Sequence, residues 1–285
     1  MPRILAAFTA AAASLLAAGA LPMNDATAAA PAAPSASAPA NGPAPTTAVG
    51  PGYLVVIGKG TDRERMMAYA RALPPVYAKA GGRYLAIGGP GRGVEWLAGP
   101  WRDRSLVLAR FESLPQVLAF WWGDDYREAV RLRERAGQFT VVAVQGAVDD
   151  AARAAPASAV YLVEATVTRD ADAYAAYRRS FETLLAAHGG RVLAPGEAGA
   201  YAALEGDPLY DRIALAVLPS RAALDALLAD PRAAELASLR ERAGLAQLAV
   251  AAAAVAPATP PAPATPAEPV APDTPATPAN PPASR

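Results

Sequence analysis

Leu132-Arg133-Glu134-Arg135-Ala136-Gly137 returns letter for letter as Leu239-Arg240-Glu241-Arg242-Ala243-Gly244. Upstream of it, Tyr53-Leu54-Val55-Val56 returns as Tyr161-Leu162-Val163-Glu164. Ala80-Gly81-Gly82-Arg83 answers His188-Gly189-Gly190-Arg191, and Asp103-Arg104 answers Asp211-Arg212. The register slips by a single residue across each unit, so the chain is one domain written twice. The two copies are placed at 52–147 and 159–251, joined by a linker at 148–158.

Each copy is long enough for a small core of its own. The 285 residues carry a formal charge of zero, which gives no basic footprint for nucleic acid, and no nucleic-acid partner is expected. The absence of cysteine excludes disulfides, thiolate metal sites and cysteine nucleophiles. Arg3 precedes an uncharged run, rich in Ala and Leu, that reaches Leu21 and reads as a secretory signal peptide over 1–28, with Ala26 and Ala28 as an A-x-A match. That reading places the protein in the periplasm or outside the cell. No stable membrane insertion is expected unless the segment is retained as an anchor. Residues 29–51 and 252–285 are Ala/Pro and Pro/Ala/Thr-rich, too poor in bulky apolar groups to fold, and are expected to be disordered semi-stiff spacers.

Within the first copy, Tyr53–Ile57 reads as a buried strand. A helix capped at Thr61 or Asp62 follows, with Met66, Tyr69, Ala70, Leu73, Val76 and Tyr77 on one face. Pro74-Pro75 is expected to kink or break it. Strands at Arg83–Ile87 and Arg104–Phe111, helices at Leu114–Trp121 and Asp124–Arg135, and a closing strand Phe139–Val144 complete the copy. The second copy repeats this with strands at 161–166, 191–194, 212–218 and near 247–251, and helices at 170–187 and 221–239. The order β-α-β-β-α-β predicts an α+β fold of two tandem ferredoxin-like units.

Helix, Gly81-Gly82-Arg83-Tyr84-Leu85-Ala86-Ile87-Gly88-Gly89, a strand ending at Phe111 and Ser113, and Ala119-Phe120-Trp121 up to Tyr126 resemble the domain of unknown function 1330 family. The second copy keeps Gly189-Gly190-Arg191 and Leu204-Glu205-Gly206, with Val192 in place of the Tyr and Ala233 in place of the helix Tyr. The resemblance implies the dimeric α+β barrel superfamily, in which two ferredoxin-like sheets close around a cavity. Tandem copies would then build the pseudo-dimeric barrel within one chain.

Groups able to carry chemistry are sparse. His188, the single histidine, falls at a helix C-terminus, where an imidazolium gains from the helix dipole, and reads as a cap. Glu164 replaces the Val56 of the first copy on a strand expected to be central; it is either a cavity acid facing a neighbouring arginine or a rim residue. Arg83 and Arg191, retained in both copies, would bind a small anion bidentately or clamp a local acid or carbonyl.

Aromatic residues are concentrated in the first copy. Tyr84, Trp96, Trp101, Phe120, Trp121, Trp122 and Tyr126 stand against Val192, Leu204, Leu209, Leu227, Leu228, Ala229 and Ala233. A ligand pocket in the first copy and plain core packing both account for that asymmetry. The Gly88–Gly93 stretch opens no predicted helix, so it fails as a nucleotide loop. The expected site is therefore Arg83, Tyr84, Trp121, Glu164 and Arg191 around a small molecule in a cavity between the repeats, with no cofactor and no metal. A cofactor-free enzyme is the catalytic version of that reading. A non-catalytic envelope interaction or spacer module is the alternative.

Overall fold

Gly52–Gly60 is β1, an aliphatic and β-branched run that pleats with its alternate residues on opposite faces. The computed structural model describes residues 50–148, 154–208 and 210–253. After β1 come helix α1 (Arg63–Lys79), strands β2 (Arg83–Pro90), β3 (Gly93–Ala98) and β4 (Ser105–Phe111), helices α2 (Leu114–Trp122) and α3 (Asp124–Arg131), and strand β5 (Gly137–Gln145). The second half runs β6 (Val160–Thr168), α4 (Ala171–Ala187), β7 (Arg191–Pro195), β8 (Tyr201–Glu205), β9 (Arg212–Leu218), α5 (Arg221–Ala229), α6 (Arg232–Ala243) and β10 (Gly244–Ala252). The signal-type segment, the proline-rich stretches up to residue 49 and beyond Ala253, and residues 149–153 of the linker lie outside the described residues.

Caps repeat with the sequence. Asp62 accepts from the Arg65 N–H at the start of α1 and Asp170 from the Ala173 N–H at the start of α4, while Ser113 and Ser220 cap α2 and α5 in the same way. Two expectations are corrected. The first helix is not broken, because α1 runs unbroken through Pro74-Pro75. Both prolines lie on its exposed side, where the carbonyls they leave without donors face water, and Leu73 and Tyr77 hold the opposite side in the core. Each half also has a further strand, β3 or β8, that the expected six-element order lacks.

Those extra strands are arms. The sheet order is β7-β9-β6-β10-β3-β2-β4-β1-β5-β8, so β3 of the first half lies on β10 of the second, and β8 of the second lies on β5 of the first. Both arms pair antiparallel and both carry a register shift at the matching place, between Val141 and Val142 and between Leu248 and Ala249. Strand pairing sets Trp96 opposite Ala249 and Ala203 opposite Val142, so Ala203, not Leu204, is the counterpart of Trp96. By the same register Ala98 is the counterpart of Glu205. The Ala147 N–H donates to the Leu193 carbonyl, 2.8 Å, and Ala86 bridges Ala253, which closes the curled sheet into an α+β barrel of two ferredoxin-like halves.

Alternation along the strands sorts side chains into three clusters. Tyr53, Val55 and Ile57 of β1, Leu106 and Leu108 of β4, Tyr161, Val163 and Ala165 of β6, and Ile213, Leu215 and Val217 of β9 meet inside the barrel. Their outward neighbours pack beneath the helices of their own half, Leu54 under α1 to α3 and Leu162 under α4 to α6.

The repeated hexapeptide shows what context does to identical sequence. In the second half it is helical to Ala243; in the first α3 stops at Arg131 and Arg135 takes a left-handed φ of 60°. Its final glycine is required in both, since a Cβ would collide with the Lys59 carbonyl oxygen at Gly137 and with that of Val167 at Gly244. Arg133, 5% exposed, donates through Nη1 (2.7 Å) and Nη2 to both oxygens of Glu205 on the arm from the other half, and stacks over Phe139. Glu205→Ala leaves that buried guanidinium without its counter-ion. Because Glu205 is itself partly solvated, the expected loss is about 2 kcal/mol, read as a lower urea midpoint.

Candidate functional site

The five residues singled out from sequence do not converge. Arg83 is exposed at the start of β2, its Cα opposite Arg110, and Arg191 starts β7 opposite Val217. Tyr84 and Trp121 belong to the layer under the helices of the first half, with the Tyr84 ring tilted against Tyr77 at 4.4 Å and that of Trp121, 1% exposed, tilted against Tyr126 at 4.6 Å. Glu164, 4% exposed, lies under the helices of the second half, on the face of β6 turned away from the barrel interior. The interior that was expected to hold a ligand is lined by all ten strands, whose side chains form one continuous cluster there with Trp101 and Tyr201 packed against it. His188 is the C-cap of α4, and its Nε2 lies 3.1 Å from Asp230. Among the described residues no group of three His, Asp or Glu side chains could hold a metal ion. No described helix is long and apolar enough to cross a membrane.

Concave space opens where the second half has lost bulk. Counting from the caps and the shared hexapeptide, Trp121 corresponds to Leu228, Phe120 to Leu227 and Tyr126 to Ala233. In the first half those rings are buried between helices and sheet. Their smaller counterparts leave a cleft of about 400 Å³ lined by Leu162, Phe181, Leu224, Leu227, Ala233 and Leu248 among others. Tyr177 and Arg240 bring the only polar side chains to this lining. The first half has a larger hollow of about 530 Å³ beside α1 and α3, but the Lys79 and Asp125 side chains, both on its wall, pair at 2.5 Å, and nothing buried points into it unpaired.

Tyrosine at the matching helix position does different work in each half. Tyr69 shares a hydrogen bond of 2.9 Å with the Tyr126 hydroxyl. Its counterpart Tyr177 has Ala233 where that partner stood, and donates instead to the Glu164 carboxylate, whose other oxygen accepts from Thr166 Oγ1 at 3.0 Å. Glu164 thereby has a donor on each oxygen, as a buried carboxylate needs, whereas Val56 in the first half needs none. Burial, then the charge of Glu164, pushes the Tyr177 phenol well above its usual range, so it remains a donor and is no base. Tyr174 alongside is pushed up to about 12, by burial first and Glu164 second. Arg240 completes the lining as a cation. One proton donor already committed and one fixed cation on an apolar wall can hold and orient a molecule, but they supply no base or nucleophile.

A pair of ferredoxin-like halves closed into one barrel by exchanged arms defines a pseudo-dimeric α+β barrel. The chain belongs to the family described as Domain of unknown function (DUF1330), whose model matches residues 51–147 and again 159–254. No curated protein matches the sequence. Among solved structures, a protein of unknown function from Rhodopseudomonas palustris is 22% identical over 34% of this chain and 82% of its own, with a TM-score of 0.28. A dye-decolorizing protein from V. cholerae is 10% identical over 72% of this chain and 94% of its own, with a TM-score of 0.45. A heme-binding protein from Thermus thermophilus is 12% identical, covering 71% and 91%, with a TM-score of 0.37. Likenesses this remote carry neither ligand nor reaction over to this chain.

Sequence reasoning reached Glu164 and missed Tyr177, Thr166 and Arg240. Tyr177 could have been found, since a valine exchanged for an acid and a tyrosine exchanged for alanine occur in one copy and both bear on the same phenol.

Two measurements follow from this cluster. Tyr177→Phe removes a donor from a buried carboxylate and is expected to lower stability by roughly 1–3 kcal/mol in urea unfolding. Tyr69→Phe, whose partner is a neutral hydroxyl, is expected to remove about 1 kcal/mol or less. In alkali, Tyr174 holds its proton to about 12 when folded and loses it near the ordinary value of 10.0 when unfolded. Its contribution is therefore complete below pH 10 and lost as pH rises towards 12, so a pH titration of the urea midpoint should fall across that window.

Proposed function

We propose that this protein binds a small, largely apolar molecule without transforming it, and that the binding place is the cleft of the second half, under α4 to α6. The observation that carries this is the exchange of Trp121, Phe120 and Tyr126 for Leu228, Leu227 and Ala233, the last three of which border a cleft of about 400 Å³ with almost wholly apolar walls. A space of that size falls in the range of roughly 300–1,000 Å³ usual for ligand clefts, with mostly apolar walls and few polar groups, as such clefts require. Binding rather than catalysis is supported by the lining itself, in which Tyr177 is held protonated by its burial and then by Glu164, and the other polar side chain is the guanidinium of Arg240.

Ala233→Tyr returns the first-half residue to the cleft and tests the reading. Calorimetric titration of the full chain with octanol is expected to show binding to the unaltered protein and none to the variant, with the melting temperature of the variant equal or higher. Octanol binding that persists at full strength in Ala233→Tyr places the site elsewhere and removes the proposal.

A further inference from the structure

In the first half Arg133 is closed off by a carboxylate. Its counterpart in the second half, Arg240, is not, and the reason lies in the arms. Glu205 stands opposite Val141 on β8, and the residue in the equivalent place on β3, opposite Leu248, is Ala98. The one carboxylate of that arm, Glu95, is taken by Arg221 of α5 at 2.5 Å, and among the described residues Arg240 makes no ion pair and no hydrogen bond. Half-buried on α6, it lines the cleft with Leu97, Leu248 and Tyr177. The buried acid of that layer, Glu164, already accepts from Tyr177 and Thr166, one on each oxygen. Arg178 of α4, the other cation near Tyr177, extends over Phe181 and towards Glu182.

We infer that Arg240 is the anchor for a carboxylate head group, and that the ligand of the cleft is a small monocarboxylic acid with an apolar body. This rests on the cleft being the binding place. Arg133 and Glu205 show, within the same chain, the geometry that a guanidinium at this position adopts when a carboxylate comes to it from the arm side: two parallel N–H to O bonds. An acid entering beside Ala98 meets Arg240 from that side, and its body lies along Leu97, Leu162 and Leu248 where the helices leave room. The guanidinium fork fits a planar carboxylate, and the apolar surroundings strengthen the pairing relative to water.

The test uses the full chain and three probes with the same eight-carbon body: octanoate, octanol and octylamine, titrated calorimetrically. Octanoate is expected to bind about tenfold tighter than octanol, and octylamine more weakly than both. Arg240→Gln should abolish the roughly tenfold preference for octanoate over octanol, whatever it does to the affinity for either alone. Ala98→Glu provides an independent variant that keeps Arg240 in place. It installs the counterpart of Glu205, and is expected to remove the octanoate preference, leave octanol bound and raise the melting temperature. Equal binding of octanoate and octanol by the unaltered protein, or a preference that survives in both variants, overturns the anchor and leaves the cleft standing. Tightest binding of octylamine assigns recognition to Glu164 and also overturns it. Failure of all three probes to bind removes the cleft and the anchor together.

Discussion

The unpaired edge of a strand is what this architecture is arranged to avoid. A four-stranded half ends in β5 or β10, whose outer N–H and C=O groups would be left to water or to another chain. Here each edge is taken by an arm from the opposite half, β8 on β5 and β3 on β10. Closure of the barrel, the continuous interior of inward side chains and the placement of Glu205 over Arg133 all depend on that exchange. Strand pairing also fixes which residue of one arm answers which of the other, and so decides that Arg133 has a carboxylate and Arg240 an alanine.

Volume is the second constraint. Helices in both halves start from equivalent caps and lie on equivalent strands, so the gap beneath them is set by the backbone and has to be filled by whatever the sequence supplies. Trp121, Phe120 and Tyr126 supply enough; Leu228, Leu227 and Ala233 do not. The aromatic asymmetry, which sequence alone leaves open between a pocket and a packed core, resolves as buried rings bordering a polar-walled hollow on the aromatic side and a cleft with almost wholly apolar walls on the other. Tyr177 loses its phenolic partner in the same change, and Glu164 stands in as the hydrogen-bond partner that Tyr126 is for Tyr69.

Most of the fold was legible because repetition checks each assignment twice. Strand Tyr53–Ile57 and strand Tyr161–Thr166 support each other, as do the caps at Asp62 and Asp170. The arms were not legible: Gly93–Ala98 begins in a glycine-rich turn and Tyr201–Glu205 is five residues long, and their stability comes from a partner strand in the other half. Pro74-Pro75 misleads because a proline rule takes no account of which side of a helix faces water. Of the candidate residues, Glu164 was found because one copy differs from the other at a buried place. Arg240 was hidden by the opposite circumstance, since it is identical to Arg133 and only the residue across from it has changed.

Joining two copies in one polypeptide removes a restriction that a barrel of two identical chains cannot escape. In such a dimer a tyrosine-to-alanine exchange is made twice, opens two hollows and weakens both layers together. Here the first half keeps its rings and its clamped arginine, while the second carries the apolar cleft and the unclamped arginine. One copy serves as ballast for the other. Changes that enlarge or reshape the hollow therefore cost the barrel once rather than twice, and leave the packing of the first copy untouched.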